Sequence, residues 1–284
     1  MDVLLRYDGA LASNNELDFY DASRALVGFQ RSLALTTHLV TNGEIITQAP
    51  SLKNASIVIN TPRPGSWEVV ATIIGGIWAA GTASKDTPLG HLLYSVYDYV
   101  VTQTLGFPVD YNKSLFQSHQ ALLAERNITP AKLDSLAEKT ETSIGDMHRP
   151  MVKSHTATRA DIYGGDKADP KIRLGRELNA ASYEFLSRTE LEDDESGHVG
   201  VVSSYNINTF SGRLYDFEEQ RPIPFELNDE ARTRRNAGLI ASSLRANAIE
   251  RGDRTNAISL IGRRMVSSTG RLKGLIVSSV ATAS

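Results

Sequence analysis

The longest apolar run of the chain, residues 69–83 (VVATIIGGIWAAGTA), limits what the chain can fold into. A helix that crosses a bilayer needs about 20 such residues, whereas this run has 15 before Ser84, Lys85 and Asp86 end it. We therefore expect no membrane span and predict a buried element. Its glycines and alanines permit close packing, within a protomer or between protomers. The residues predicted to pack between protomers are Trp67, Ile73, Ile77 and Trp78.

Composition indicates a globular protein with a real core. The chain has 284 residues, of which 41% are hydrophobic and 22% charged, and this length favours two domains. It contains no cysteine, which excludes disulfides, thiolate metal sites and cysteine nucleophiles. The N-terminal residues lack a basic segment followed by an apolar one, so we expect a cytoplasmic protein.

Residues 1–150 are predicted to form a helix-rich α/β module. Apolar residues recur at three- and four-residue steps over 17–41, 88–105, 114–126 and 130–147, which predicts helices. Asn14 or Asn15 is the expected cap of the first helix, and Gly43 its end. Runs rich in β-branched residues predict a small antiparallel sheet from residues 3–7, 55–60 and 66–71.

A linker with one helix is predicted over residues 151–190, because the apolar pattern lapses there and resumes over 170–186. The acidic stretch 190–197 is expected to be a solvated loop. Residues 191–284 then contain five predicted strands with one helix between the third and the fourth: strands 199–205, 212–217, 221–227, 256–266 and 271–280, and helix 229–251.

The expected fold class is therefore α+β, with a small five-stranded C-terminal barrel of the oligonucleotide-binding (OB) or SH3-like type. The position of the helix favours the OB type. Residues 200–206 (GVVSSYN) and 212–215 (GRLY) resemble the opening of a cold-shock barrel. The resemblance covers fewer than twenty residues and lacks the aromatic–glycine–aromatic core of the nucleic-acid-binding strand, so it implies barrel topology more than binding.

Charge is unevenly distributed along the chain. Residues 230–284 carry 10 basic and 3 acidic side chains, although the net charge of the whole chain is −3. A basic segment of this kind indicates an acidic partner such as nucleic acid, anionic lipid or an acidic protein face. The alternative is that the basic face docks on the acidic N-terminal part. The predicted partner-binding residues are Tyr205, Phe210, Arg213, Tyr215, Arg232, Arg235, Arg263, Arg271 and Lys273.

The motifs of several common enzyme classes are missing from the sequence. There is no phosphate-binding loop, dinucleotide fingerprint, H-E-x-x-H or G-x-S-x-G, and no cofactor is predicted. His148, His155 and Asp161 are the one suggestive cluster, since imidazole and carboxylate groups bind divalent metals. The alternative interpretation is that these three are scattered polar residues that do not form a site.

Three hypotheses follow. The first is a non-enzymatic, self-associating interaction protein whose barrel binds a partner, such as a bacterial or viral component of defence or counter-defence. The second is a protein that binds single-stranded nucleic acid through the basic barrel. The third is an enzyme with an irregular metal-dependent site at His148, His155 and Asp161.

Overall fold

The computed structural model describes residues 1–46, 52–53, 55–60, 67–75, 87–109, 115–165, 172–187, 189–250, 254–267 and 270–283. The chain divides into two compact units. The first comprises Met1–Leu105 with Leu115–Tyr183, and the second comprises Gly106–Ser114 with Glu184–Ser284. Each unit contains its own sheet, so the predicted α+β class is confirmed.

The first unit contains an antiparallel sheet in the order β2-β3-β1-β4-β5. Its strands are β1 (Asp2–Asp8), β2 (Ala55–Asn60), β3 (Trp67–Gly75), β4 (Arg159–Gly164) and β5 (Ile172–Arg173). The predicted small antiparallel sheet is thus confirmed, but it has two more strands than expected. Strand β4 comes from the predicted linker. It is held by pairing with β1 rather than by a strong apolar alternation of its own, because Arg159, Asp161 and Tyr163 fall on one face.

Helices of the first unit begin and end at the expected kinds of residue. They are α1 (Phe19–Asn42), α2 (Pro88–Thr104), α3 (Leu115–Glu125), α4 (Pro130–Met147) and α5 (Arg149–Val152). The cap of α1 is Asp18 rather than Asn14 or Asn15, because Asp18 accepts a hydrogen bond from the Asp21 N–H. Gly43, at φ +70°, ends the helix as predicted.

The core of the first unit lies between one face of the sheet and the helices. Val3, Leu5 and Tyr7 alternate along β1 toward this core and are buried. The second half of α1 is buried on all sides, including Leu33 and Leu39. Strand β3 includes the start of the apolar run, and residues 76–83 of that run lie outside the described residues. Every helix within the described ranges is too short or too polar to reach across a bilayer.

The predicted helix over 170–186 is only partly right. The helix α6 covers Ala180–Ser187, while residues 172–173 form β5. Gly175 lies between them at φ +75°, a conformation that interrupts a helix and that a residue with a Cβ rarely adopts. Leu178 forms an isolated β-bridge with Ala160, so the segment before α6 pairs with β4 and does not form a helix.

The second unit is a closed five-stranded barrel with strand order β10-β8-β7-β6-β9. Its strands are β6 (Glu190–Asn206), β7 (Ser211–Asp216), β8 (Arg221–Leu227), β9 (Ile258–Val266) and β10 (Leu272–Thr282). Helix α7 (Arg234–Ile249) lies between the third and fourth strands in sequence. The third strand runs parallel to the fifth, and the remaining pairs are antiparallel. This is the topology of the OB type, which confirms the predicted barrel.

Two local predictions for this unit are wrong. The acidic stretch 190–197 belongs to β6, which pairs with β9, and cross-strand arginines neutralise two of its carboxylates: Arg263 contacts Asp193 and Arg264 contacts Glu192. Helix α7 starts five residues later than expected. Asn228 caps a short 3₁₀ turn, and Thr233 then caps α7 by accepting from the Asn236 N–H.

Candidate nucleic-acid interface

Strand β7 presents alternate side chains to the two sides of the barrel wall. Leu214 points inward and is fully buried in the barrel core, together with Ile223 from the neighbouring β8. The side chains between the inward positions therefore lie on the outer surface. Arg213 and Tyr215 are the outer residues of β7, and both are half-buried.

An aromatic and cationic row continues along this outer face. Phe217 directly follows β7, and its N–H bonds the Val199 carbonyl, which extends the strand geometry by one residue. The Tyr215 and Phe217 rings meet edge to face, with centroids 6.4 Å apart. The Arg254 guanidinium carbon lies 4.4 Å from the Phe217 centroid, which is close enough for a cation–π interaction.

Arg213 stands at the other end of the row. Its register partners are Ser204 on β6 and Pro224 on β8, neither of which carries a charge. Arg213 forms no ion pair with any residue that the structure describes. The outer face of β7 thus offers a cation and two adjoining rings, one of them covered by a second cation.

Several of the predicted site residues serve the barrel itself. Tyr205 packs against the core and stacks on Phe225 at 6.2 Å, and burial raises the pKa of its hydroxyl although the nearby Arg232 acts in the opposite direction. Phe210 also packs on the core, and the Arg232 guanidinium lies 5.1 Å from its ring. Arg232 is in turn paired with Asp229 at 2.7 Å.

Arg271 and Lys273 are also engaged within the second unit. Arg271 lies over the rings of Phe107 at 4.5 Å and Phe185 at 4.9 Å, and it donates to the Gly106 carbonyl. Burial lowers the pKa of Arg271, with Glu219 acting in the opposite direction. Lys273 donates to the Leu186 carbonyl at 3.0 Å. Both cations therefore hold segments of this unit together.

The predicted single face that unites Arg263, Arg271 and Lys273 with the aromatic residues is therefore not assembled. Arg263 donates to the Glu192 carbonyl at 2.8 Å and pairs with Asp193 at 3.0 Å. Arg235 is exposed on α7 and has no ion-pair partner among the described residues. Of the predicted set, Arg213 and Tyr215 are the residues that the structure places in one row.

Sequence reasoning missed Phe217 and Arg254. The signal for Phe217 was present, since positions 213, 215 and 217 follow the two-residue period of a strand. Arg254 had no such signal, because it lies in a short 3₁₀ turn before β9 that is distant from Phe217 in sequence. Its contact with Phe217 depends on barrel closure.

The residues predicted to pack between protomers have different surroundings. Ile73 is buried at 1% exposure within the first unit, because it faces the helices, so it is unavailable to a second protomer. Trp67 is half-buried and meets the Tyr7 ring edge to face at 5.6 Å. Ile77 and Trp78 lie outside the described residues.

The predicted metal cluster is dispersed over separate contacts. His148 is fully buried, with Nδ1 2.7 Å from the Ile144 carbonyl oxygen and Nε2 2.9 Å from Ser182 Oγ. His155 contacts the Met151 carbonyl, and Asp161 pairs with Arg173. Across the described ranges, no group of three or more histidine, aspartate or glutamate side chains is arranged to hold a metal ion.

The fold and this face together define a two-unit α+β protein with an OB-type barrel. Residues 3–181 match the family described as a domain of unknown function (DUF7946), and residues 195–281 match a family of unknown function (DUF7947). The first match spans more than half of the chain, so the chain belongs to the DUF7946 family. No curated protein and no solved structure matches the chain.

Proposed function

We propose that this protein binds single-stranded nucleic acid across the outer face of β7. The observation that carries the proposal is the row of Arg213, Tyr215 and Phe217, with Arg254 over the last ring. Non-specific single-strand binding uses aromatic rings on which bases stack and cations that follow the backbone. The row supplies both kinds of group.

The position of the row on the fold supports the same proposal. OB barrels take oligonucleotides and oligosaccharides on the face formed by their second and third strands. Here those strands are β7 and β8, and Pro222 and Pro224 stand opposite Tyr215 and Arg213 on β8. Pro224, which is half-buried, and the rings give this face flat apolar surfaces, whereas Pro222 is buried. Bases can use such surfaces only when they are unstacked from a partner strand, which favours single strands over duplexes.

Fluorescence anisotropy with a labelled oligothymidylate tests the proposal. The logarithm of the association constant should fall linearly with the logarithm of the salt concentration, because each neutralised phosphate releases a counterion. Arg213→Gln should reduce the slope by about 0.7, the value for one phosphate contact on a single strand. Tyr215→Ala should weaken binding by about 1–3 kcal/mol, the contribution of one stacked base.

Arg245→Gln is the matched control, because Arg245 is an exposed arginine of the same unit that lies on α7, away from β7 in sequence. It should leave the salt slope and the affinity nearly unchanged. The proposal is wrong if the intact protein shows no salt-dependent binding, or if Arg213→Gln and Tyr215→Ala bind like the control.

A second function, self-association through β2, is favoured by a separate observation. Strand β2 is at the edge of its sheet, and Val58 and Ile59 on it are 41% and 60% exposed, while Ile74 on the neighbouring β3 is 46% exposed. An apolar edge strand with unpaired backbone groups is a template for another strand. Ile59→Lys should convert an oligomer to a monomer in light scattering, whereas Val27→Lys, on exposed α1 surface, should not. A monomeric wild-type protein would remove this function.

A further inference from the structure

Ser196, His198 and Asp216 form a continuous hydrogen-bonded chain at one end of the barrel. Ser196 Oγ lies 3.1 Å from His198 Nε2, and His198 Nδ1 lies 2.8 Å from Asp216 Oδ2. This is the relation of nucleophile, base and orienting carboxylate that defines a catalytic triad by geometry rather than by sequence order.

The sheet register explains why these three side chains meet. Ser196 and His198 are two residues apart on β6 and therefore share a face. His198 is opposite Leu260, a core residue, so this is the inward face. Asp216 is opposite Gly200, the next position on the same face of β6. Because Gly200 has no side chain, the ring of His198 can reach the carboxylate diagonally.

Asp216 divides its two oxygens between two tasks. Oδ1 accepts the backbone N–H groups of Glu218 and Glu219, at 2.8 and 3.0 Å, which fixes the turn after β7. Oδ2 faces His198. Burial acts to raise the pKa of Asp216, but the hydrogen bonds from His198 and from the two backbone groups outweigh burial and hold that pKa below its usual value.

This arrangement sets the tautomer of the histidine. A carboxylate can only accept, so Nδ1 of His198 must carry the proton that it shares with Asp216. In the neutral ring Nε2 is then an acceptor, and the Ser196 hydroxyl donates to it. The His198 side chain is only 11% exposed, while Ser196 is half-buried and so partly open to solvent. The base is shielded and the hydroxyl remains within reach of a substrate.

We propose that Ser196 is a nucleophile for acyl transfer, with His198 as its general base and Asp216 as a positioning residue. Ser196 Oγ forms a bond to the acyl carbon as its proton passes to His198 Nε2. The ester C–O bond breaks, and the leaving alcohol takes that proton. Water then hydrolyses the acyl-serine, again with His198 accepting and returning one proton.

The surroundings of Ser196 define the substrate class. Asp194 and Glu195 precede it directly, are exposed, and form no ion pair with any described residue, whereas Asp193 is paired with Arg263. Their negative charges repel an anionic ester such as a phosphodiester. The structure therefore favours a neutral or cationic carboxylic ester, a substrate class different from the anionic strand proposed for the outer face of β7.

A fluorophosphonate probe on the intact protein, followed by mass spectrometry, tests the proposal. Oγ displaces fluoride from phosphorus, and the label should map to Ser196. Ser196→Ala should lose the label, whereas Ser278→Ala, at a half-buried serine of β10, should label like wild type. His198→Gln should label at least about 100-fold more slowly, the lower end of the general-base contribution.

The pH dependence of labelling separates this role from a purely structural one. Because a general base takes the Ser196 proton, the labelling rate of the wild-type protein should depend on pH, and Asp216→Asn should change that dependence. The wild-type pH profile alone needs only folded wild-type protein, so it decides the matter even where a variant fails to fold. A flat profile, or no label at Ser196 above that of heat-denatured protein, would overturn the proposal.

Discussion

The hydroxyl of Tyr7 donates a hydrogen bond of 2.7 Å to the carbonyl of Met147, joining the first strand to the end of α4. Both groups are buried, and burial raises the pKa of Tyr7 far above its usual value. Tyr7→Phe leaves the carbonyl without this donor and should lower the free energy of unfolding by about 1–3 kcal/mol. Urea unfolding measures the loss. Tyr20→Phe, at an exposed position, should be neutral.

Two helical glycines give opposite predictions for the same substitution. A Cβ at Gly28 of α1 would lie 2.3 Å from the Ser143 carbonyl oxygen of α4, whereas a Cβ at Gly145 would meet nothing within 4 Å. Gly28→Ala forces the helices apart and should destabilise by about 1–3 kcal/mol. Gly145→Ala should stabilise by about 0.5–1 kcal/mol. Equal melting temperatures for the two variants would contradict this account of α1–α4 packing.

His148 should make the first unit sensitive to acid. Burial lowers its pKa to about 4, although its bond to the Ile144 carbonyl acts in the opposite direction. Between these two pKa values, the histidine binds a proton in the unfolded chain, where its pKa is near 6.5, but not in the folded chain. Stability should therefore fall as pH drops from about 6.5 to about 4, by roughly 3 kcal/mol in all.

Two measurements check the role of His148. An NMR titration should show no transition of this imidazole near pH 6.5, and His148→Gln should flatten the dependence of unfolding on pH over that range. A His148 that titrates at its ordinary pKa would contradict the buried, neutral assignment.

Arg271 and Arg213 should have separable effects. Arg271→Ala removes the contacts with Phe107 and Phe185 and should destabilise the second unit by about 1–3 kcal/mol, with little change in oligonucleotide affinity among folded molecules. Arg213→Gln should lower the oligonucleotide affinity and leave the stability of the second unit nearly unchanged. Melting curves and anisotropy on both variants check this pair of outcomes. If Arg271→Ala lowered the affinity strongly and Arg213→Gln did not, the binding face would not be the outer face of β7.

The sequence predicts the regular parts of this fold because they follow simple periodicities. Helices α2 and α4 begin with Thr-Pro pairs, and each threonine caps its helix. The order of three strands, a helix and two strands gives the barrel topology. Strand β4 was beyond such reasoning, because its place in the sheet depends on pairing with β1, about 150 residues earlier.

The candidate sites were harder to predict than the fold. Charge counting identifies a basic segment, but it does not distinguish Arg213, which has no ion-pair partner in the described chain, from Arg263, which is matched to Asp193 across two strands. Likewise, Ser196 and His198 have no sequence motif, since their relation to Asp216 arises only through the register of β6 and β7.

Backbone amide mapping by NMR, with oligothymidylate added to the intact protein, tests the central claim most directly. We predict that the largest shift changes fall on residues 211–217, Ser204 and Arg254, and that they diminish at high salt. Changes confined to α7 or to the first unit, or no changes at all, would contradict nucleic-acid binding on β7.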